Sequence, residues 1–523
     1  MAFDLPPHLS ASEFERAIAK FQAELGPGGV LTTPAEVSEF RDPFAFPDWN
    51  EFQPSAVLMP TTVEEVQAIL RVANEHKVPL WTSSQGRNNG YGGPAPRVAG
   101  AVVLSLRKMN RVLEVNEESA YALVEPGVRF FDLYDHLRAT GSKLWMSVPD
   151  LGWGSVLGNT VDHGMGYTPY GDHVSSQCGM EVVLPNGDVL RTGMGAMSNP
   201  KAWQVYKRGC GPSADGLFMQ SNFGVVTKMG VWLMPQPECY MPGWLTLRRD
   251  SDLELLLEEL RPLMMDGTIP NQPMIINAVC GISAFTPRQA WYTGEGPIPE
   301  AVIEEIAKQP GLGRWVMRFA LYGDEQIVER QRQIVETAFG RIPGAEVSFS
   351  KYRGDALPEF TNPHERVQAG IPSMDLDQMT RWYGGQEGGH IGFSCVSPIT
   401  GRDGGALRDL VRGWLAEAGL DYSGVIIVSK RSMIHVGLVV FDTKNEAQAK
   451  SAYDACKSLV EPAAKLGYGE YRSHLDFMDL VADQYDFNSH AQRRFNELLK
   501  DAIDPNGILS PGKQGIWPKS YRG

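Results

Sequence analysis

Cysteine is scarce and scattered. Cys178, Cys210, Cys239, Cys280, Cys395 and Cys456 are spread over 523 residues, and no two form a CxxC pair. That spacing argues against zinc and against a disulfide framework, and no CxxCH haem-attachment motif is present. Long apolar runs are missing as well. No stretch approaches the ~20 residues of a membrane span, and Met1 to Leu9 has no basic region followed by an apolar run. Positive charge is in deficit, with 48 Lys and Arg against 62 Asp and Glu and a net charge of −14. Such a balance argues against nucleic acid or an anionic membrane as partner. Internal repeats, low-complexity segments and long linkers are lacking too. These absences lead us to expect a soluble, cytoplasmic protein that holds no metal.

What is present suits a large globular chain. Hydrophobic residues make up 43% and charged residues 21%, as in packed domains, and the length suggests two. Ser12 to Leu25 has helical apolar spacing through Phe14, Ile18 and Phe21. Ala56–Met59 reads as a strand. Thr61-Thr62-Val63-Glu64-Glu65 carries two overlapping capping boxes and opens a helix with Val66, Ile69, Leu70 and Ala73 on one side, followed by a strand at Val78–Trp81. This strand–helix–strand start indicates α/β organisation. Further strands are expected at 101–106 and 120–124, a helix at 129–140, and a hairpin at 181–190 turning on Asn186-Gly187. Pro235, Pro237 and Pro242 mark the end of the first domain. The second half alternates helices (251–265, 299–308, 324–339, 404–418, 445–466, 490–502) with strands (244–247, 315–321, 391–396, 424–428, 435–441). Two lobes with ligand chemistry between them follow from this pattern.

Glycine is concentrated in two places. Ser83 to Gly93 follows a strand and contains Gly86, Gly90, Gly92 and Gly93, with Tyr91 among them. Backbone N–H groups of such a loop can cradle phosphate, although the spacing is neither Walker nor Rossmann. Ser147 to His173 holds six more glycines and shows almost no helical or strand period. A loop that long inside a compact domain usually binds something, and glycine lets backbone approach a ligand closely. We expect it to wrap a large flat cofactor and to present Asp150 to a substrate.

Ser83–Pro96, Pro149–His173, Glu181–Gly195, Gly389–Ser394, Gly467–Arg472 and Asp504–Trp517 together resemble the vanillyl-alcohol oxidase family of flavoproteins, most closely its eugenol oxidase and 4-alkylphenol oxidase members. The resemblance covers nearly the whole chain in order. It implies an α+β, two-domain FAD fold of the p-cresol methylhydroxylase/vanillyl-alcohol oxidase type. Residues 1–238 would be the FAD-binding domain, with its core at about 50–235. Residues 239–523 would be the substrate or cap domain, whose last segment, about 490–523, returns to the first. It further implies FAD held by Gly86, Arg87, Asn88, Asn89, Gly90, Pro149, Gly154, Ser155, Gly158, Asn159, Gly224, Val225, Val226, Arg472 and Lys513, and bonded covalently through His390. A histidyl link withdraws electron density from the flavin and makes hydride acceptance easier.

In the same resemblance Tyr91, Tyr471 and Arg472 hold the substrate phenol as its anion. A phenol has a pKa of about 10, and one guanidinium with two hydroxyl donors lowers that by roughly 2–3. The phenolate pushes charge to the para carbon, so that the benzylic carbon releases hydride to flavin N5 and leaves a p-quinone methide. Asp150 stands near that carbon, either stabilising charge or acting as base. Water addition then gives an alcohol, β-proton loss an alkene, and O₂ takes the electrons to give hydrogen peroxide. Met165, Tyr167, Val425, Ile427 and Ile434 form the substrate pocket. Ile434, Val425 and Met165 stand where eugenol oxidase has histidine, glutamine and valine. The apolar replacements favour 4-alkylphenols such as 4-ethylphenol over vanillyl alcohol. A homodimer is implied. The alternatives are a p-cresol-type dehydrogenase that passes electrons to a cytochrome, a 2-hydroxy-acid dehydrogenase of the same superfamily, and a flavin- or phenol-binding protein without turnover.

Overall fold

The computed structural model describes residues 5–45, 52–357 and 360–522. Residues 1–4 and 523, the outer limits of the expected domain division, and residue 50, where the first core was placed, lie outside them.

The first lobe is built around two small sheets. Val57–Leu58, Val102–Ser105 and Leu80–Ser83 run parallel, with Val30–Leu31 on one edge. The crossover is the helix Val63–His76. It starts where Thr62 accepts a hydrogen bond from the Glu65 N–H, and it buries Val66, Ile69, Leu70 and Ala73. A second, antiparallel sheet is ordered Val112–Asn116, Tyr121–Val124, Val225–Trp232, Gln177–Val183 and Val189–Arg191.

The rest of the chain is dominated by one eight-stranded antiparallel sheet. Its order is Glu346–Phe349, Cys239–Leu247, Trp315–Gly323, Met274–Asn277, Gly424–Val428, Ser432–Asp442 and Gly388–Pro398, and Tyr352–Arg353 pairs beside Cys239. The two-residue period divides its faces. Leu245, Met317, Ile275, Ile426 and Met433 pack in one cluster with the helices Asp252–Met265 and Glu325–Phe339. The opposite face carries Trp244, Arg318, Met274, Ile427, Ile434 and Val396 in register across the sheet. On that side Met274, Ile276, Val316 and Val425 share a core with Val128, Phe130, Val148 and Tyr167 of the first lobe.

The C-terminal segment crosses back to the first lobe. The Leu80 N–H donates to the Ile508 carbonyl and the Ser510 N–H to the Leu80 carbonyl, both at 2.7 Å. Lys500, fully buried, pairs with Asp504 at 2.7 Å and donates to the carbonyls of Asn222 and Leu509. Among the described residues no helix is long and apolar enough to cross a membrane.

Ser147–His173 departs from the unstructured loop expected of it. It contains the helix Val156–Val161, opened by Ser155, whose hydroxyl accepts from the Gly158 N–H at 2.9 Å. Gly158 and the β-branched residues hide this helix from propensity. Burial of Val156, Leu157 and Thr160 holds it in place.

Candidate active site

A deep cleft lies between the two sheets of the first lobe and the C-terminal segment, enclosing about 1300 Å³ with its mouth included. The glycine loop after Leu80–Ser83 supplies one wall and turns at Gly86, φ +68°. The helix opened by Ser155 supplies another. Of the residues assigned to the cofactor, Gly86, Arg87, Asn88, Gly154, Ser155, Gly158, Asn159, Gly224, Val226, Arg472 and Lys513 line this cleft. Lys513 pairs with Asp162 at 3.3 Å. Val225 does not line it. Side chains alternate along Val225–Trp232, and Val225 is buried on the far side with Val183, Leu80 and Leu104. Asn89, Gly90 and Pro149 also lie outside the lining. The Asn159 amide oxygen accepts from buried His173 Nδ1 at 2.6 Å, and His173 Nε2 meets Ser147 Oγ at 3.0 Å. Burial pushes His173 down to about 4, so it is a neutral brace.

His390 sits on the edge strand Gly388–Pro398, whose residues 390, 392 and 394 share one face. Its imidazole is buried and pushed down to about 4 by that burial, and among the described residues Nδ1 has no hydrogen-bond partner. Gly90, φ +78°, lies directly beneath it, where a Cβ would come within 2.6 Å of Nε2. A neutral imidazole with an unused nitrogen is the state a covalent flavin link requires.

Two residues along the same face, Gly392 and Ser394 receive Tyr91. The Tyr91 hydroxyl and Ser394 Oγ are 3.0 Å apart. The Arg472 guanidinium lies 4.3 Å from the Tyr91 ring centroid and donates to Asn88 Oδ1, while its buried Nε has no partner among the described residues. Tyr471 donates its backbone N–H to the Ser394 carbonyl at 3.2 Å. Burial, reinforced by neighbouring Tyr91, pushes the Tyr471 hydroxyl well up, so it stays a donor. Tyr91, Tyr471 and Arg472 are thus brought together from segments some 380 residues apart. A Cβ at Gly392 would fall 2.8 Å from the Tyr91 hydroxyl and ring. Gly392→Ala is therefore expected to displace the ring and slow flavin reduction by phenols about tenfold or more, with an unchanged circular dichroism spectrum.

Asp150 has partners that sequence reasoning missed. Its Oδ1 accepts from Arg318 Nη2 at 2.6 Å and its Oδ2 from the Tyr167 hydroxyl at 2.6 Å. Arg318 is almost fully buried, lies 4.2 Å from the Tyr167 ring centroid, and donates through Nη1 to His364 Nδ1 at 2.6 Å. Burial first, and Arg318 second, hold His364 well below the usual histidine range, so it accepts as a neutral ring. The signal was a single arginine inside the apolar run Trp315–Leu321, because a charge in such a strand needs a partner. Ile427 and Ile434 stand in the same cross-strand row as Arg318, and Val425 in the next. Met165, half-buried, forms a backbone β-bridge with Asp172.

Comparison with known proteins bears on this arrangement. Residues 54–193 match the FAD binding domain model, and residues 432–514 match the C-terminal domain of FAD-linked oxidases. The flavoprotein subunit of a hydroxylating 4-cresol dehydrogenase from Pseudomonas putida is 38% identical over 98% of this chain and 97% of its own length. The chain belongs to the vanillyl-alcohol oxidase family. Within that family, a 4-ethylphenol oxidase from Gulosibacter chungangensis, solved with isoeugenol, superposes with a TM-score of 0.95 at 38% identity over 99% and 100% of the two chains. A p-cresol methylhydroxylase with substrate bound gives 0.92 at 36% identity over 98% and 99%. This family member is accordingly an FAD-binding oxidoreductase of the p-cresol methylhydroxylase fold. The donor set fits the cofactor: a long cleft with glycine backbone at one end, Lys513 and Arg472 along it, and an unpartnered imidazole nitrogen at His390.

Proposed function

We propose that this enzyme oxidises para-substituted phenols at the benzylic carbon, with 4-alkylphenols such as 4-ethylphenol preferred over eugenol or vanillyl alcohol. Residues 1–238 serve as the FAD domain and 239–523 as the substrate domain. The observation that carries this reading is the convergence of Tyr91, Tyr471 and Arg472 beside the cleft.

Three donors at one point suit an oxyanion. The guanidinium supplies charge and the two hydroxyls supply short hydrogen bonds. A phenolate held there feeds electron density to its para position and weakens the benzylic C–H bond toward loss as hydride, leaving a p-quinone methide. Asp150, fixed by Arg318 and Tyr167, faces the positive charge that develops at that carbon. FAD, which His390 would hold, would supply the hydride acceptor. Val425, Ile427 and Ile434 give the para substituent an apolar wall, which rewards a plain alkyl tail.

The relatives include a dehydrogenase and an oxidase at equal identity. We assign O₂ as acceptor on the likeness to the oxidase members of the family, the 4-ethylphenol oxidase superposing at 0.95 against 0.92 for the p-cresol methylhydroxylase. Anaerobic mixing with 4-ethylphenol, followed at the flavin absorbance, is expected to bleach the flavin rapidly. Air should restore the colour with one peroxide per cycle. Bleaching without recovery would assign a protein acceptor in place of O₂. A higher kcat/KM for vanillyl alcohol than for 4-ethylphenol would overturn the alkyl preference.

A further inference from the structure

A phenol that binds as its anion must give up a proton inside the protein, and the groups that would hold the anion are donors. Arg472 is permanently cationic, and the Tyr471 hydroxyl is kept protonated by burial and by Tyr91. At neutral pH a phenol of pKa about 10 is ionised to roughly one part in a thousand. Waiting for the solution anion would forfeit that factor, so a base near the phenol oxygen is worth a great deal.

Behind Tyr471 and Arg472 lies a second cavity that shares Arg472 and Gln220 with the cofactor cleft. Its lining includes Glu470, Tyr471, Arg472, His163 and Gln220, and it reaches the surface at Gln492. His163 and Gln220 both adopt the left-handed conformation, at φ +56° and +43°. Such strain in non-glycine residues persists where the surrounding structure enforces it, often at functional sites. Gln220 uses its position to donate to the Tyr471 carbonyl at 2.9 Å.

Three side chains next to Tyr471 and Arg472 could receive a proton. Burial works to raise the Asp162 carboxyl, but Lys513 and Arg472 overcome it and hold Asp162 below its usual range, which makes it a poor acceptor. Burial pushes Glu470 up to about 8, so it already carries its proton at neutral pH. His163 is lowered by burial, against the pull of Asp162, and is neutral. No hydrogen bond to its imidazole occurs among the described residues, so its lone pair is free. The charges around it are Asp162 and Asp172 on its own segment and Arg472, and the same cavity is lined by Glu470, Tyr471 and Arg493.

We propose that His163 takes the phenol proton and passes it through the second cavity to solvent. The proposal rests on the phenol-oxidation reading above. The O–H bond breaks and its electron pair stays on the oxygen, held by Tyr91, Tyr471 and Arg472. The proton, relayed by water of the second cavity, forms an N–H bond on the imidazole, and the imidazolium then releases it to water at the cavity mouth. No electrons change hands. The arriving phenolate itself favours the imidazolium, so binding and proton capture reinforce each other.

His163→Gly tests this, because glycine accepts the left-handed backbone and leaves an imidazole-sized hole open to solvent. His163→Asn, also at ease there, serves as the second variant. Both are assayed as holoenzymes by anaerobic flavin bleaching with 4-ethylphenol and with 2,6-difluoro-4-ethylphenol, which its fluorines make much more acidic. Near neutral pH, 4-ethylphenol should react at least about tenfold more slowly with either variant. The defect should shrink as the pH approaches the phenol's own pKa, and added imidazole should restore the glycine variant. At about pH 8.5 the fluorinated phenol, already ionised, should react within about twofold of wild type. Unchanged rates overturn the proposal, as does an equal loss on both phenols without rescue. If the wild type bleaches with neither phenol, the phenol reading fails first and takes the role of His163 with it.

Discussion

Replacing Arg318 by methionine is expected to lower stability by about 3–5 kcal/mol and to cripple flavin reduction. Arg318 lies almost fully buried in the strand Trp315–Gly323 and neutralises Asp150 at 2.6 Å. Removing one member of a buried pair leaves the other charge uncompensated, which costs more than the pair contributes in the intact protein. The methionine variant also frees His364 Nδ1 and strips the cation from the Tyr167 ring. The double variant Arg318→Met/Asp150→Asn should regain most of the lost stability in urea unfolding of the holoenzyme, since no lone charge remains. Its rate should stay low. Asp150→Asn alone keeps the Tyr167 hydrogen bond and should fold, yet reduce the flavin about 10²–10³-fold more slowly, the loss that the proposed role of Asp150, a preorganised charge facing the transition state, requires. A double variant no more stable than Arg318→Met would show that the two residues are not coupled.

This pair also shows where the sequence stops being readable. Asp150 was legible because it follows a proline at the mouth of a glycine-rich stretch. Its partner is 168 residues away, on the face of the eight-stranded sheet that packs against the first lobe, so only the packing of the two lobes brings the pair together. The glycine loops at 83–93 and 154–159 were legible for the opposite reason. Their backbone needs are local, and both stretches line the cleft as expected. Val225 turns its side chain away from the cleft, because side chains alternate along its strand and it is Gly224 and Val226 that line the cleft. The strand Met274–Asn277 escaped notice because four residues after Pro273 carry too short a pattern to register as a period. His390, weak evidence as a lone histidine, gains meaning from its strand, which aligns it with the Gly392 and Ser394 that receive Tyr91.

Glu470→Gln is expected to make the enzyme more stable, and by an amount that grows with pH. Glu470 adjoins Tyr471 and Arg472 and is buried. One carboxyl oxygen accepts the Ser394 N–H at 3.2 Å and the other has no partner. Among the described residues no cation offsets the burial, which pushes it up to about 8 from 4.5. Between those two values the folded protein retains a proton that the unfolded chain has released. Stability therefore falls as pH rises through that window, by up to about 1.4 kcal/mol per pH unit, and falls no further above it. The full penalty is on the order of several kcal/mol. Glutamine has the same shape and no charge to bury, so the two proteins should be nearly equal near pH 4.5 and the variant clearly ahead by about pH 8. His173, His390 and His435, each pushed down to about 4 by burial, destabilise both proteins alike as pH drops below about 6.5 and cancel from the difference. A gap that stays flat from pH 5 to 8.5 would mean that Glu470 is not held neutral in the fold. The same charge bears on phenol binding. Once ionised, Glu470 sets a negative group beside the three donors that would hold the phenolate, and it weakens their hold through a poorly screened, low-dielectric wall. The alkaline limb of kcat/KM for 4-ethylphenol should then shift upward in Glu470→Gln while its value at neutral pH changes little.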